Sequence, residues 1–280
     1  MMQVTCASAP GGDRLNEDAA HVTATTAVVL DGLSAPAGLP MACTHGTPWF
    51  VRQLGLRLVE HAADPERPLP AALAEAIEDV NALHADTCAL DQEAVPASTV
   101  AMIRTRPGAL DYLVLSDSTL VLDLGTAGIK TVTDKSVEQV AGAEMRAALH
   151  QPTGTADHAR RVAELVTVQR RLRNRAGGYW VASTVPAAAE HSIAGTIPLA
   201  HVRRVALLTD GASRLADSFG LLTWPQLLDM LHETGPQGLI TQTREAEESD
   251  PAGARWPRFK RSDDATAAYA KFAPHHGRQP

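Results

Sequence analysis

Ala27-Val28-Val29-Leu30-Asp31-Gly32 is an apolar run that stops at a carboxylate, and the pattern recurs along the chain. Val205-Ala206-Leu207-Leu208 leads through Thr209 to Asp210-Gly211, and Tyr112-Leu113-Val114-Leu115 meets Ser116-Asp117. Short apolar runs bounded by turn residues read as buried strands. An Asp at the mouth of such a strand is costly unless a cation pairs with it. Lys and Arg are sparse around these positions, so the shared cation they point to is a metal ion.

Outward from these runs, residues 3–8 and 20–25 carry further strand character, separated by the turn Pro10-Gly11-Gly12-Asp13. Residues 48–62 and 70–87 place apolar side chains at helical spacing and predict two amphipathic helices. Segments 98–103, 110–115, 119–124 and 129–132 predict strands joined as an antiparallel meander. A helical region over 135–174 is followed by strands at 179–182 and 202–209. Helices at 225–233 and 238–248 and a last strand at 266–272 complete the reading. The charged stretch 244–261, with Pro251, Gly253 and Pro257, predicts an exposed loop. The order implies an α+β fold, a four-layer α-β-β-α sandwich of two mostly antiparallel sheets flanked by helix pairs. Residues 1–273 are expected to form one domain, and 274–280, with His275-His276, a frayed tail.

Composition narrows the partners. The 280 residues carry 25 Lys and Arg against 32 Asp and Glu, a net charge of −7, which argues against nucleic acid. The cluster Arg170-Arg171-Leu172-Arg173-Asn174-Arg175 reads as a solvated helix face. Cys6, Cys43 and Cys88 are scattered and odd in number, so neither a disulfide framework nor a zinc ribbon is indicated. No basic and apolar leader opens the sequence, and no stretch is apolar enough to span a bilayer. A cytoplasmic protein without membrane partners is expected; the sequence does not specify an oligomeric state.

Set in order, the acidic landmarks are Asn16-Glu17-Asp18, Asp31-Gly32, Ser116-Asp117-Ser118, Thr209-Asp210-Gly211 and Ser262-Asp263-Asp264-Ala265-Thr266, with Ala97-Ser98-Thr99 between the second and third. This series resembles the metal-dependent protein phosphatase family, the type 2C (PPM-type) serine/threonine phosphatases and their bacterial members, over about residues 10 to 272. The likeness implies that Asp31, Asp210 and Asp263 hold two divalent ions, with Asp31 bridging and Gly32 adding its carbonyl. Asp18 and Glu17 would act through waters, and Asp117 would help hold a third ion. Oxygen-only ligands suit Mn²⁺ or Mg²⁺. The implied reaction is hydrolysis of phosphoserine or phosphothreonine in a phosphorylated protein by a metal-bridging hydroxide.

The sequence also departs from that pattern. Leu33-Ser34-Ala35-Pro36 stands where relatives carry His-Gly-Gly, which removes a histidine acid; His45 is a candidate substitute, and loop packing is its bland alternative. Arg14, four residues before Asp18, is one position off the family's phosphate-contacting Arg. Asp264 is read as the neighbour of a ligand. Tyr179 and Trp180 are read as packing residues or groove lining. Leu33 also excludes a haloacid-dehalogenase phosphatase, which needs a second Asp two residues after the first. The rival reading is a catalytically weak phosphatase-fold regulatory protein that binds a partner or phosphopeptide.

Overall fold

The computed structural model describes residues 1–33, 35, 36 and 38–272. The expected tail 274–280, with its histidine pair, lies outside them. Ten strands run in chain order: β1 (Met2–Ala9), β2 (Ala19–Val22), β3 (Thr26–Gly32), β4 (Ser98–Arg106), β5 (Ala109–Leu115), β6 (Thr119–Asp123), β7 (Ile129–Val132), β8 (Ile193–Pro198), β9 (Arg204–Leu208) and β10 (Ala265–Phe272). They form two five-stranded sheets, ordered β1-β10-β9-β6-β7 and β2-β3-β4-β5-β8, and every pairing is antiparallel.

The period of two along each strand explains the layers. In β3, Ala27 and Val29, with Ala101 and Ile103 of the neighbouring β4, face the other sheet and pack with its Leu122, Val205, Leu207, Ala268 and Ala270. Val28 and Leu30 point the opposite way, onto Phe50, Leu54, Leu58, Leu73, Ile77 and Val80. Those residues belong to α1 (Gly46–His61) and α2 (Leu69–His84). Both helices start on local signals: Gly46 at φ +76° followed by Pro48, and Pro68 followed by Pro70. Burying each Leu or Ile of this seam stabilises by about 1.5–3 kcal/mol.

Three helices, α3 (Ser136–Val140), α4 (Gly142–Leu149) and α5 (Ala156–Leu172), pack together beside the sandwich. Thr155 caps α5 by accepting from the His158 N–H at 3.2 Å. A single turn, α6 (Asp210–Ser213), follows β9. The far face of the first sheet is covered by α7 (Trp224–Ser249), opened by a Thr223/Gln226 capping box and bent at Gly235, φ 72°, before Pro236. Its Leu227, Leu228, Leu231, Leu239 and Ile240 pack on Ala206, Leu208 and Tyr269. The four-layer α+β sandwich expected from the sequence is the observed fold. No helix among the described residues is long and apolar enough to cross a membrane.

The structure corrects four local expectations. The meander breaks at Ser116-Asp117-Ser118: β5 pairs with β4 and β8, while β6 pairs with β7 and β9, so the chain crosses between sheets there. Residues 179–182 make only isolated bridges, Arg173 to Tyr179 and Ser98 to Ala182. Strand β8 was not foreseen. Residues 244–261 are not an exposed loop either: α7 continues to Ser249, and Glu247, Asp250, Trp256 and Arg258 are buried.

Candidate metal centre

Antiparallel pairing of the central strands gathers the acidic strand ends along one edge of the sandwich. Asp31 is the penultimate residue of β3, opposite Thr99 in β4. Asp18 immediately precedes β2, and Asp117 sits in the crossing after β5. Asp210 follows β9, and Asp263 precedes β10. The Thr209 N–H donates to the Thr266 carbonyl at 3.0 Å and aligns those last two strands. The crossing is strained: Ser116 has φ 68°, which costs a non-glycine residue about 1 kcal/mol. That conformation, with Thr133 Oγ1 donating to the Asp117 carbonyl at 3.1 Å, sets where Asp117 sits.

Both glycines of the Asp-Gly pairs are required by close approach rather than by turn geometry. A Cβ on Gly32 would stand 2.2 Å from the Glu17 carbonyl oxygen and 2.6 Å from Thr47 Cγ2, and one on Gly211 would stand 2.0 Å from the Asp264 carbonyl oxygen. Asp264 itself accepts from the N–H groups of Gly11 at 2.8 Å and Glu17 at 2.7 Å, so it anchors the loop that delivers Asp18. Asp31, Gly32, Asp117, Asp210, Asp263 and Arg14 all line one cleft of about 730 Å³. Asp18 lies behind it, 7% exposed, its Oδ2 accepting from Thr209 Oγ1 at 2.9 Å.

The electrostatics of this edge are unbalanced. Burial pushes Asp31 well above the ordinary carboxylate range, and Asp18, Asp210, Asp263 and Asp117 push it further. Burial also raises Asp18 against its Thr209 hydrogen bond. Asp117 is pushed up to about 7 by burial and then by Asp210. Solvent touches Asp210 from the open side of the cleft, yet the surrounding protein, then Asp263, still raises its pKa. Asp263 behaves differently: burial would raise it, but Lys260 and Arg214 hold it below the usual range. Lys260 pairs with Asp263 directly, and Arg214 lies 3.3 Å from it. Glu247, fully buried, pairs in turn with Arg214 and with Arg244.

Divalent cations fit this donor set. The ligand candidates are all oxygens, which hard cations prefer. Asp18 Oδ1 is buried without a hydrogen-bond partner, an arrangement that is costly unless a cation or an ordered water satisfies it. Asp31, Asp18, Asp210 and Asp117 all bind protons more tightly in the metal-free fold than in the unfolded chain. Above about pH 4 the fold therefore holds protons that the unfolded chain has released, and its stability falls as pH rises toward 7. Asp117 alone contributes on the order of 4 kcal/mol to that fall. Thermal unfolding in chelator is expected to show a midpoint dropping from pH 5 to pH 7.5, and saturating Mn²⁺ to remove the drop. Equal slopes with and without Mn²⁺ would contradict the assignment.

Other site expectations resolve in different ways. Arg14 stands at the cleft rim and donates to the Ala35 carbonyl at 3.2 Å. His45 does not line the cleft; it stacks on Trp49 at 4.4 Å and faces Cys43 and Cys88. Tyr179 is buried against Ala97 and Val181, and Trp180 stacks on His191 at 3.5 Å, so both pack. The arginine cluster is only partly solvated: Arg170 donates to the Pro40 carbonyl and Arg173 to the Val95 carbonyl. Sequence reasoning missed Lys260, Arg214 and Glu247. The sole signal for Lys260 is its place three residues before Asp263.

No protein-family model matches this sequence, and no curated protein does. Solved structures do match in fold. The serine/threonine phosphatase Stp1 from Staphylococcus aureus superposes with a TM-score of 0.59 at 13% identity, over 98% of this chain and 96% of that one. The catalytic domain of the serine/threonine protein phosphatase PstP, in complex with two manganese ions, gives 0.52 at 16% identity over 96% and 97%. The PPM Ser-Thr phosphatase MsPP from Mycobacterium smegmatis, in complex with cacodylate, gives 0.52 at 17% over 97% and 98%. The fold is that of the PPM-type serine/threonine phosphatases, and it extends over nearly the whole chain.

Proposed function

We propose that this protein is a metal-dependent phosphatase that hydrolyses phosphoserine or phosphothreonine in proteins, with residues 1–273 as one catalytic unit. The observation that carries the reading is the convergence of Asp18, Asp31, Asp117, Asp210 and Asp263, from both sheets, on one cleft edge with more negative charge than its own cations offset. Asp31, Asp210 and Asp263 would hold two Mn²⁺ or Mg²⁺ ions, with Asp31 shared and the Gly32 carbonyl adding a ligand. Asp18 would act through water, and Asp117 would serve a third ion. Such ions supply an activated water nucleophile and neutralise charge on the phosphoryl oxygens.

The chain's own residues do the rest. Arg14 presents a guanidinium suited to phosphate at the rim. Leu15, Leu33, Val162, Val166 and Phe259 give the cleft an apolar wall that would hold an extended peptide beside the acids. The one described histidine lining the cleft, His158, is 3% exposed and holds the Arg258 carbonyl at 3.0 Å through Nε2.

Incubation with an aryl phosphate and a phosphopeptide tests the reading: turnover is expected with Mn²⁺ and not with chelator. Phosphopeptide binding without turnover would instead assign the regulatory role. Lys260 supplies a sharper check, because its ammonium occupies charge on Asp263 that a metal would use. Lys260→Met is expected to tighten Mn²⁺ binding about tenfold by titration calorimetry, equivalent to about 1.4 kcal/mol. Weaker binding would show that Lys260 instead holds the ligand loop in place.

A further inference from the structure

A second polar cluster lies outside the cleft, where α1 begins and α2 ends. Cys43 Sγ lies 3.4 Å from His84 Nδ1 and 3.7 Å from His45 Nδ1. Cys88 Sγ lies 3.3 Å from Cys43 Sγ and 3.4 Å from His45 Nδ1. All four ligand atoms fall within 4.8 Å of one another. Zinc bound tetrahedrally at ordinary Zn–S and Zn–N lengths separates its ligands by ~3.4 to ~3.8 Å. The three sulfur-to-nitrogen separations match the edges of such a tetrahedron, and the two sulfurs at 3.3 Å would open to ~3.8 Å around the ion.

We propose that Cys43, His45, His84 and Cys88 form a structural Zn²⁺ site. Two sulfurs and two imidazole nitrogens are a soft, borderline donor set that selects zinc over the hard cations suited to the carboxylate edge. Four protein ligands fill the tetrahedron and leave no open position, so the site is structural rather than catalytic.

Local structure builds it from two pairs. His84 is the last residue of α2, and the Cys88 N–H donates to the His84 carbonyl at 3.0 Å, so one further turn brings Cys88 round to the same side. Cys43 and His45 are two apart in the segment before α1, which is tied down by Ala42 N–H to the Ala94 carbonyl at 2.9 Å and Ala89 N–H to the Ala42 carbonyl at 3.2 Å. Cys43 and His84 are 4% and 1% exposed. Trp49 lies 4.4 Å from His45 and 5.0 Å from His84, ring to ring, and shields one side. Counting cysteines alone hides the site, because half its ligands are histidines and the pairs are far apart in sequence.

The site would staple the segment leading into α1 to the far end of α2. Thr47, two residues beyond His45, abuts Gly32. The inference stands independently of the phosphatase reading. Protein purified without added metal and dialysed should hold one zinc per chain by elemental analysis. That zinc should persist in Asp31→Asn/Asp210→Asn and be lost in Cys43→Ser/Cys88→Ser. Should the cysteine variant fail to fold, Co²⁺ exchanged into the intact protein gives an independent readout: thiolate-to-cobalt charge transfer and intense tetrahedral bands, bleached by one equivalent of Zn²⁺. Zinc that follows the aspartates, a weak octahedral cobalt spectrum, or a Cys43–Cys88 disulfide in the native protein would overturn the proposal.

Discussion

Asp31→Asn is expected to lower Mn²⁺-dependent turnover about a thousandfold or more, about 4 kcal/mol of transition-state stabilisation. The amide keeps the size of the side chain and removes the charge that a shared ligand needs. The same substitution should raise the unfolding midpoint of the metal-free protein near pH 7. It deletes a buried carboxylate that Asp18, Asp210, Asp263 and Asp117 all repel, and so relieves a cost that function imposes. Activity assays and thermal unfolding in chelator, run on the same preparation, check both halves. Retained turnover, or a lower metal-free midpoint, would contradict the role given to Asp31.

Glu247→Ala carries the second large effect, on stability. Glu247 is fully buried between Arg214 and Arg244, and the Arg214 side chain is itself 8% exposed. Removing the carboxylate leaves the buried Arg214 guanidinium with only the Asp263 carboxylate at 3.3 Å, which costs about 3 kcal/mol. Arg214→Met in the same chain should recover much of that loss, because the stranded charge goes with it, and a double-mutant cycle by urea unfolding measures the coupling. A loss under about 1 kcal/mol for the single variant would show that water reaches Arg214. The change should also reach the cleft: without Glu247, Arg214 retains only Asp263 and competes harder for it.

The layered fold was legible because β3, β4, β5, β9 and β10 are largely apolar on both faces, and all of them except β4 end or begin close to an Asp. The helices α1 and α2 were legible from their apolar spacing. What failed depended on long-range contacts. Ser116-Asp117-Ser118 looks like a hairpin turn, and nothing local shows that β5 and β6 part company there. Ile193–Pro198 is an exposed edge strand with weak alternation and a terminal Pro, the pattern least distinct from a loop. The 244–261 segment is highly charged, and charge reads as surface unless its partners are known. Its Arg258 is buried because Asp250 and the backbone carbonyls of Glu247 and Trp256 surround it.

The acidic positions were likewise readable, being strand ends in a characteristic order. Their unequal electrostatics were not. Asp263 differs from Asp31 through Lys260 and Arg214, and Arg214 reaches it from another part of the chain.

Small side chains hold part of the seam between the two sheets close: Ala27, Ala101, Ala268 and Ala270 all lie in it. Because the carboxylates are divided between those sheets, the thickness of that seam acts as a caliper on the span between them. Widening it by one methyl group or two, as Ala268→Val would, should weaken ion binding from a position remote from every ligand.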